Sequence, residues 1–448
     1  MKPSRTRMKR VLSTSLLVML VVGVVLAPLV FGLIQGELLN TALSGTKVIA
    51  VSAVPDANGD GHEDVFAATN SSASGTLYLL NGVNGSTIRS QTLGYALQEV
   101  LCITSPSLRI AVAYIGGVRV YDQSFAQVAD FPTPMPPSHL QTFSGNDVVF
   151  YFNTSGQFTN WTITDYSLLT SSLIWNHSTT GATNITRVFR DMLVLNSNLV
   201  VELNTGDNPP NHWWVINSYN STGGNQNTIQ GIGGASSNDT LAMQYYNSTH
   251  FMYTYQASTF RVLRLCLLNE TTETDFWSAA ILNNTANVGF PIIDVNGDGA
   301  KEVLTVMNGG NPGVLNGRNG STVYNVVALS VSNISSVATL SDVDGNGRNE
   351  MAIYAGKAYL LSFGQTSCTV VWQQDFGSEG LVAIQDINGD GYKDVVAATG
   401  TTVNSFTGAA VPVIPEFTLG VTLSACVGFT MLFVVLAKKK LVKQPSFP

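Results

Sequence analysis

Asp294-Val-Asn-Gly-Asp-Gly-Ala-Lys-Glu302 recurs three more times in this chain with the same polar skeleton. The other copies are Asp56-Ala-Asn-Gly-Asp-Gly-His-Glu-Asp64, Asp342-Val-Asp-Gly-Asn-Gly-Arg-Asn-Glu350 and Asp386-Ile-Asn-Gly-Asp-Gly-Tyr-Lys-Asp394. Each follows a short apolar run, such as Val48 to Val54 or Leu381 to Ile384. Each also precedes one, such as Val65 to Ala68 or Val395 to Ala398. Runs this short, rich in Val and bounded by turn residues, read as strands, so the polar segment joins two strands. A second word follows downstream. Leu80-Asn-Gly-Val-Asn-Gly-Ser-Thr-Ile88 is matched by Leu315-Asn-Gly-Arg-Asn-Gly-Ser-Thr-Val323, with weaker echoes in Leu361 to Gly364 and Asn404 to Gly408. Asn84-Gly85 and Asn319-Gly320 predict tight hairpin turns with positive φ at both central residues. The unit is therefore strand, acidic loop, strand, strand, Asn-Gly turn, strand.

The last three loops start 48 and 44 residues apart (294 to 342, 342 to 386). Four strands per period of that size is the signature of a propeller blade. The first loop lies 238 residues before the second (56 to 294), about five periods. In between, Leu108 to Tyr121, Val148 to Ile163 and Met192 to Leu203 keep alternating apolar patterns without the acidic loop. The expected fold is all-β: a single β-propeller of eight blades, with seven as the alternative. The last unit, Leu381 to Gly408, lacks a strand. The segment Glu37 to Ala42 is expected to supply it and close the ring, leaving no free sheet edge.

Positions 1, 3, 5 and 9 of every copy carry oxygen-bearing side chains. The sets are Asp56, Asn58, Asp60, Asp64; Asp294, Asn296, Asp298, Glu302; Asp342, Asp344, Asn346, Glu350; and Asp386, Asn388, Asp390, Asp394. Each holds three carboxylates and one Asn. A hard divalent cation that takes six to eight oxygens is the natural counter-charge, with a backbone carbonyl at position 7, and Ca²⁺ suits this better than Mg²⁺. Glycines at positions 4 and 6 permit the sharp bends. An EF-hand would need Glu at position 12, where Ala67, Thr305, Ile353 and Ala397 stand, and helices on both flanks.

These segments resemble the FG-GAP (or VCBS) repeats of integrin α-subunit-like β-propellers, whose D-x-[DN]-x-[DN]-G-x-x-[DE] loops bind calcium. The Leu-Asn-Gly-x-Asn-Gly words are similar to blade ends of eight-bladed quinoprotein-type propellers. The resemblance covers residues 47–95 and 287–408. It implies structural calcium sites with all sixteen side chains as ligands, and no activity.

Both ends are apolar. Lys2, Arg5, Arg7, Lys9 and Arg10 precede an uncharged run from Val11 to Ile34, which reads as a signal peptide or a membrane anchor (1–36). The run 417–437, closed by Lys438, Lys439 and Lys440, reads as a transmembrane helix after a short stalk (411–416), with a cytoplasmic basic tail (438–448). The flanks place the propeller, 37–410, outside the cell. Pro415-Glu416-Phe417 resembles PEF-type sorting signals of archaeal surface proteins; an ordinary stalk is the alternative. Sequons at thirteen positions, from Asn70 to Asn333, fit a glycosylated surface. Cys102, Cys266 and Cys368 form no framework and read as buried free thiols.

A net charge of −7 with no basic stripe between the ends excludes nucleic-acid binding. The histidines, His62, His139, His177, His212 and His250, are scattered without a metal or catalytic spacing. The expected function is a membrane-anchored, calcium-stabilised surface protein for binding, adhesion or structure, with an unidentified extracellular protein or glycan as ligand. The alternative is a propeller enzyme, either a polysaccharide lyase or hydrolase or a quinoprotein-like oxidoreductase. Trp161, Trp175, Trp213, Trp214, Tyr245 and Tyr246 offer either a stacking face or blade core, with core favoured.

Overall fold

The computed structural model describes residues 31–33, 37–105, 107–154, 160–179, 186–208, 211–232, 242–257, 260–268, 273–281, 289–307, 310–326, 329–374, 381–384, 386–387, 391–406 and 410–412. Eight four-stranded antiparallel sheets follow one another along the chain. Blades 1 to 7 span 47–93, 97–132, 137–179, 186–232, 243–281, 290–325 and 336–374. Blade 8 combines Leu381–Ile384, Asp394–Thr399 and Thr402–Phe406 with the N-terminal strand Glu37–Ala42 as its outer edge. The eight-blade expectation and the closing strand are both found.

Within a blade, burial explains the sequence pattern. Asp64–Asn70 and Gly75–Leu80 are buried along almost their whole length, because neighbouring blades cover both faces. They therefore read as continuous apolar runs rather than alternating ones. The outer strand Thr87–Leu93 is mostly exposed and polar. The core lies between blades. Phe66, Ala68, Leu77 and Leu79 of blade 1 pack with Ile110, Val112 and Tyr121 of blade 2. Such layers recur around the ring. At the closure, Val48, Val65, Ala67 and Leu80 of blade 1 meet Ile387, Val396, Ala398 and Val403 of blade 8. Backbone bonds seal the same seam, from Val48 N to Gly400 O at 2.6 Å and from Leu43 N to Thr401 O at 2.7 Å.

The Asn-Gly turns differ from the expectation. Gly85 and Gly320 have φ of 69° and 71°, whereas Asn84 and Asn319 do not adopt positive φ. The loop is four residues long. Asn81 N donates to Ser86 O, and Gly85 N donates to Asn81 O, both at 2.8 Å. The Asn81 side chain accepts the amides of Val83 and Asn84, which stabilises a right-handed turn that only Gly85 must leave.

The terminal apolar runs fall almost entirely outside the described residues. Phe31–Leu33, at the end of the first run, is a strand paired with Ala410–Pro412 in a small separate sheet rather than helix. Among the described residues no helix is long and apolar enough to cross a membrane.

Candidate metal loops on four adjacent blades

The four acidic loops belong to blades 6, 7, 8 and 1, which are neighbours around the closed ring. Each joins the first and second strands of its blade, so all four open on the same face.

Two hydrogen bonds recur in every copy. The position-1 carboxylate accepts the amide of the position-6 glycine: Asp56 from Gly61 at 2.8 Å, Asp294 from Gly299 at 2.7 Å, Asp342 from Gly347 at 2.7 Å and Asp386 from Gly391 at 2.6 Å. The position-9 carboxylate reaches back to the amide of position 2: Asp64 to Ala57 at 2.8 Å, Glu302 to Val295 at 2.7 Å, Glu350 to Val343 at 2.6 Å and Asp394 to Ile387 at 2.9 Å. All four position-9 side chains are fully buried. The position-1 bond demands left-handed backbone at the glycines. Gly297 and Gly299 have φ of 81° and 83°, and Gly345 and Gly347 have 74° and 86°.

A residue that the sequence reading assigned only to a turn belongs to the site. Asn81 at the end of the third strand of blade 1 donates to Asp60 Oδ2 at 2.5 Å, and Asn316 does the same for Asp298 in blade 6. In blade 7 Ser362 Oγ donates to Asp344 Oδ2 at 2.5 Å. The glycine after each Asn brings the strands close, since a Cβ on Gly82 or Gly317 would lie 2.0 or 1.9 Å from the carbonyl oxygen of Glu63 or Lys301. The signal in the sequence was the co-occurrence of the Leu-Asn-Gly word with the acidic loop.

The fit to a cation can be judged loop by loop. In blade 6, oxygens of Asp294, Asp298 and Glu302 lie within 4.8 Å of one another, and in blade 7 those of Asp342, Asp344 and Glu350 do. Glu350 Oε1 is buried without a hydrogen bond of good geometry, and the neighbouring Ser362 hydroxyl only partly offsets the effect of burial on this carboxyl, so the oxygen is left available to a cation. Burial pushes the carboxyls of Glu302 and Glu350 up to about 7, so ionising them without a counter-charge is costly. Asp56 and Asp298 are shifted down, chiefly by the Gly61 amide and the Asn316 side chain respectively. In blade 1 both oxygens of Asp64 are taken by amides, of Ala57 and of Gly82 at 3.1 Å. In blade 8, Asn388 and Asp390 lie outside the described residues. The donor set is all oxygen, with three carboxylates per loop, and it suits a hard divalent ion.

Elsewhere, four of the six aromatics singled out in the sequence are core, and the side chain of Trp213 lies outside the described residues. Trp161, Trp175, Trp214 and Tyr246 are buried, while Tyr245 is exposed. Trp161 Nε1 donates to Glu202 at 2.7 Å, and Glu202, wholly buried, also accepts from Asn204 and Tyr219. The thiols of Cys266 and Cys368 are buried, and Cys102 is half-buried. His139 lies with its Nδ1 3.0 Å from Ser138 Oγ and its Nε2 3.6 Å from Asp191 Oδ1. The second distance exceeds hydrogen-bond reach, and Asp191 already accepts the amides of Met192 and Met243. Those bonds belong to the inner-strand bracing of the blades without acidic loops. Glu99 of blade 2 likewise holds the His139 and Leu140 amides of blade 3, and Gln141 holds blade 4 through Met192 O and Val194 N.

No protein-family model matches the chain, and no curated protein does. Solved structures match its fold. BamB from Moraxella catarrhalis is 11% identical with a TM-score of 0.51, covering 84% of this chain and 99% of that one. The Dos1 propeller is 10% identical with a TM-score of 0.56, covering 85% and 96%. Sqt1 from Saccharomyces cerevisiae is 11% identical with a TM-score of 0.54, covering 84% and 99%. At this identity the likeness is one of fold, and the chain is an eight-bladed β-propeller.

Proposed function

We propose that this chain is a calcium-stabilised propeller of the FG-GAP/VCBS type, held at the outer face of a membrane by its terminal apolar segments and serving as a binding or structural module. The observation that carries the calcium reading is the pair of convergent carboxylate clusters in blades 6 and 7, with Glu350 Oε1 buried and without a hydrogen bond of good geometry in the second of them. Positions 1, 3, 5 and 9 of each loop would hold the ion together with the carbonyl of position 7. The ion would supply the positive charge that three carboxylates need. Its role is mechanical: it ties the first and second strands of a blade where the first strand is short, as with Phe290–Pro291. The binding role rests on the rigid ring, whose eight blades set loops side by side on each face; the partner is a protein or glycan.

Two measurements test this. Purified chain should contain calcium, lose thermal stability in chelator and regain it with calcium but not with magnesium; a melting curve indifferent to chelator defeats the calcium reading. Protease added to intact cells should digest the propeller and spare the Lys438 to Lys440 tail. Protection of the region around Trp214 defeats the surface reading.

A further inference from the structure

The acidic loops of blades 6 and 7 are joined by a continuous hydrogen-bonded path. Arg348 is position 7 of the blade 7 loop. Its own amide is held by Asn346 Oδ1 at 2.9 Å. Its guanidinium crosses the blade boundary and donates to Val295 O and, at 3.0 Å, to the Tyr324 hydroxyl. Val295 is position 2 of the blade 6 loop, and its amide is the one that fixes Glu302. A single peptide residue thus has its carbonyl held by one loop and its amide holding the buried carboxylate of the other. Tyr324, itself buried in the outer strand of blade 6, donates to Gly364 O of blade 7 at 2.9 Å. Gly364 follows directly on Phe363, whose carbonyl accepts from Asn346. The path therefore returns to the blade 7 loop by a second route.

We infer that the blade 6 and blade 7 loops bind their cations cooperatively, with Arg348 as the residue that links them. This rests on the calcium reading. The backbone carbonyl of Arg348 is the expected position-7 ligand of its own loop, so fixing that carbonyl also fixes the base of the side chain that clamps Val295. Ordering Val295 in turn fixes Glu302, and linkage makes the effect reciprocal. Two discrete arrangements of one connected network are what such coupling requires. Position 7 of the blade 6 loop is Ala300, whose methyl group cannot reach a neighbouring blade, so the link runs in one direction around the ring. The buried Glu350 Oε1, which lacks a hydrogen bond of good geometry, is the independent sign that the blade 7 loop has a ligand to couple.

The test uses the full-length chain carrying Asp56→Ala and Asp386→Ala, which leaves only the blade 6 and blade 7 loops, titrated with calcium by calorimetry. The expected Hill coefficient is above one. Arg348→Ala, or the milder Tyr324→Phe if the first fails to fold, should bring it to one and weaken overall affinity by about five-fold, at the lower end of typical couplings. A two-site titration with a Hill coefficient of one before the linker is altered overturns the coupling and leaves the calcium reading standing. So does cooperativity that survives both Arg348→Ala and Tyr324→Phe in folded protein. Absence of calcium uptake by the unaltered chain overturns both.

Discussion

Glu302 Oε2 accepts the amide of Val295 at 2.7 Å across the acidic loop of blade 6, and the residues flanking that bond are part of a β-sheet on one side and a candidate ion site on the other. The bond sets the position of a wholly buried carboxylate. Glu302→Gln keeps an acceptor for Val295 but removes one of three charges. The expected outcome in chelator is a protein about as stable as the original, because relief of a buried charge is offset by the loss of the bond that Asn296 Nδ2 donates to Glu302 Oε1 at 2.8 Å. Its calcium-induced rise in melting temperature should shrink by at least the share of one loop, and by more where the blade 7 loop is coupled to it. Differential scanning calorimetry with and without calcium reads both effects. An undiminished calcium response would remove Glu302 from the ligand set.

Gly317 sits where the third strand of blade 6 passes under the acidic loop, with no room for a side chain. A Cβ there would be 1.9 Å from Lys301 O and 2.2 Å from the Tyr246 hydroxyl. Gly317→Ala must push strand and loop apart, at a cost of about 1–3 kcal/mol. Gly94→Ala is the control, since a Cβ there meets nothing within 4 Å. Urea denaturation of the two variants in calcium should give a lower midpoint for the first alone. Equal midpoints would mean that the loop and strand are less closely packed than described.

Asp165 gives a pH signature remote from the acidic loops. It is 1% exposed, its Oδ1 has no hydrogen-bond partner, and burial followed by the nearby Asp147 charge pushes its carboxyl up to about 7. An acid whose folded pKa lies above its unfolded value of 3.8 binds its proton more tightly when folded. Its contribution to stability is therefore most favourable below 3.8, declines as pH rises to about 7, and is flat beyond. Asp165→Asn removes the ionisation. It should gain on the order of 1–2 kcal/mol at pH 8 and gain little at low pH. A pH–stability curve parallel to that of the original chain would refute the assignment.

What the sequence disclosed tracks how local each constraint is. The loops were legible because position 1 to position 9 is one continuous word, and the closing strand because Leu381 to Gly408 was visibly one strand short. The Asn-Gly turns were misread for want of one non-local fact: Asn81 turns its side-chain carbonyl to Val83 and Asn84 and its amide to Asp60, which fixes a four-residue loop. Blades 2 to 5 could be counted but not drawn, since they lack that punctuation and their strands grow long, as in Thr186–Asn196. The buried Glu202 was invisible for the same reason: its partner Trp161 is forty-one residues away on another blade. A lone Glu among apolar residues carries no sign that an indole and a phenol will satisfy it.

The ring closure offers the most direct test of the fold. Asn40 of the N-terminal strand stands directly opposite Asn404 in the edge pairing of blade 8, and Thr41 Oγ1 reaches across to Gly85 O in blade 1 at 2.9 Å. Opposed residues in an antiparallel pair have Cα atoms about 4.5–5.5 Å apart, within the span of a disulfide. Asn40→Cys with Asn404→Cys should therefore oxidise without distorting the strands. Asn404 is a tolerant site for this change, because its Oδ1 is buried with no partner, so the substitution removes an unsatisfied group. The described native thiols compete little, since Cys266 and Cys368 are buried and burial pushes the half-buried Cys102 up to about 12. The cross-link should stabilise the chain by about 2–4 kcal/mol, reversed by reductant, because it ties together chain ends that an opened ring would release. Mass spectrometry of the non-reduced digest identifies the bond. Failure of the two introduced thiols to pair in folded protein would mean that another segment, or none, covers the edge of Thr402–Phe406. If none covers it, that edge is open to pairing with a second chain, and the protein should aggregate as its concentration rises.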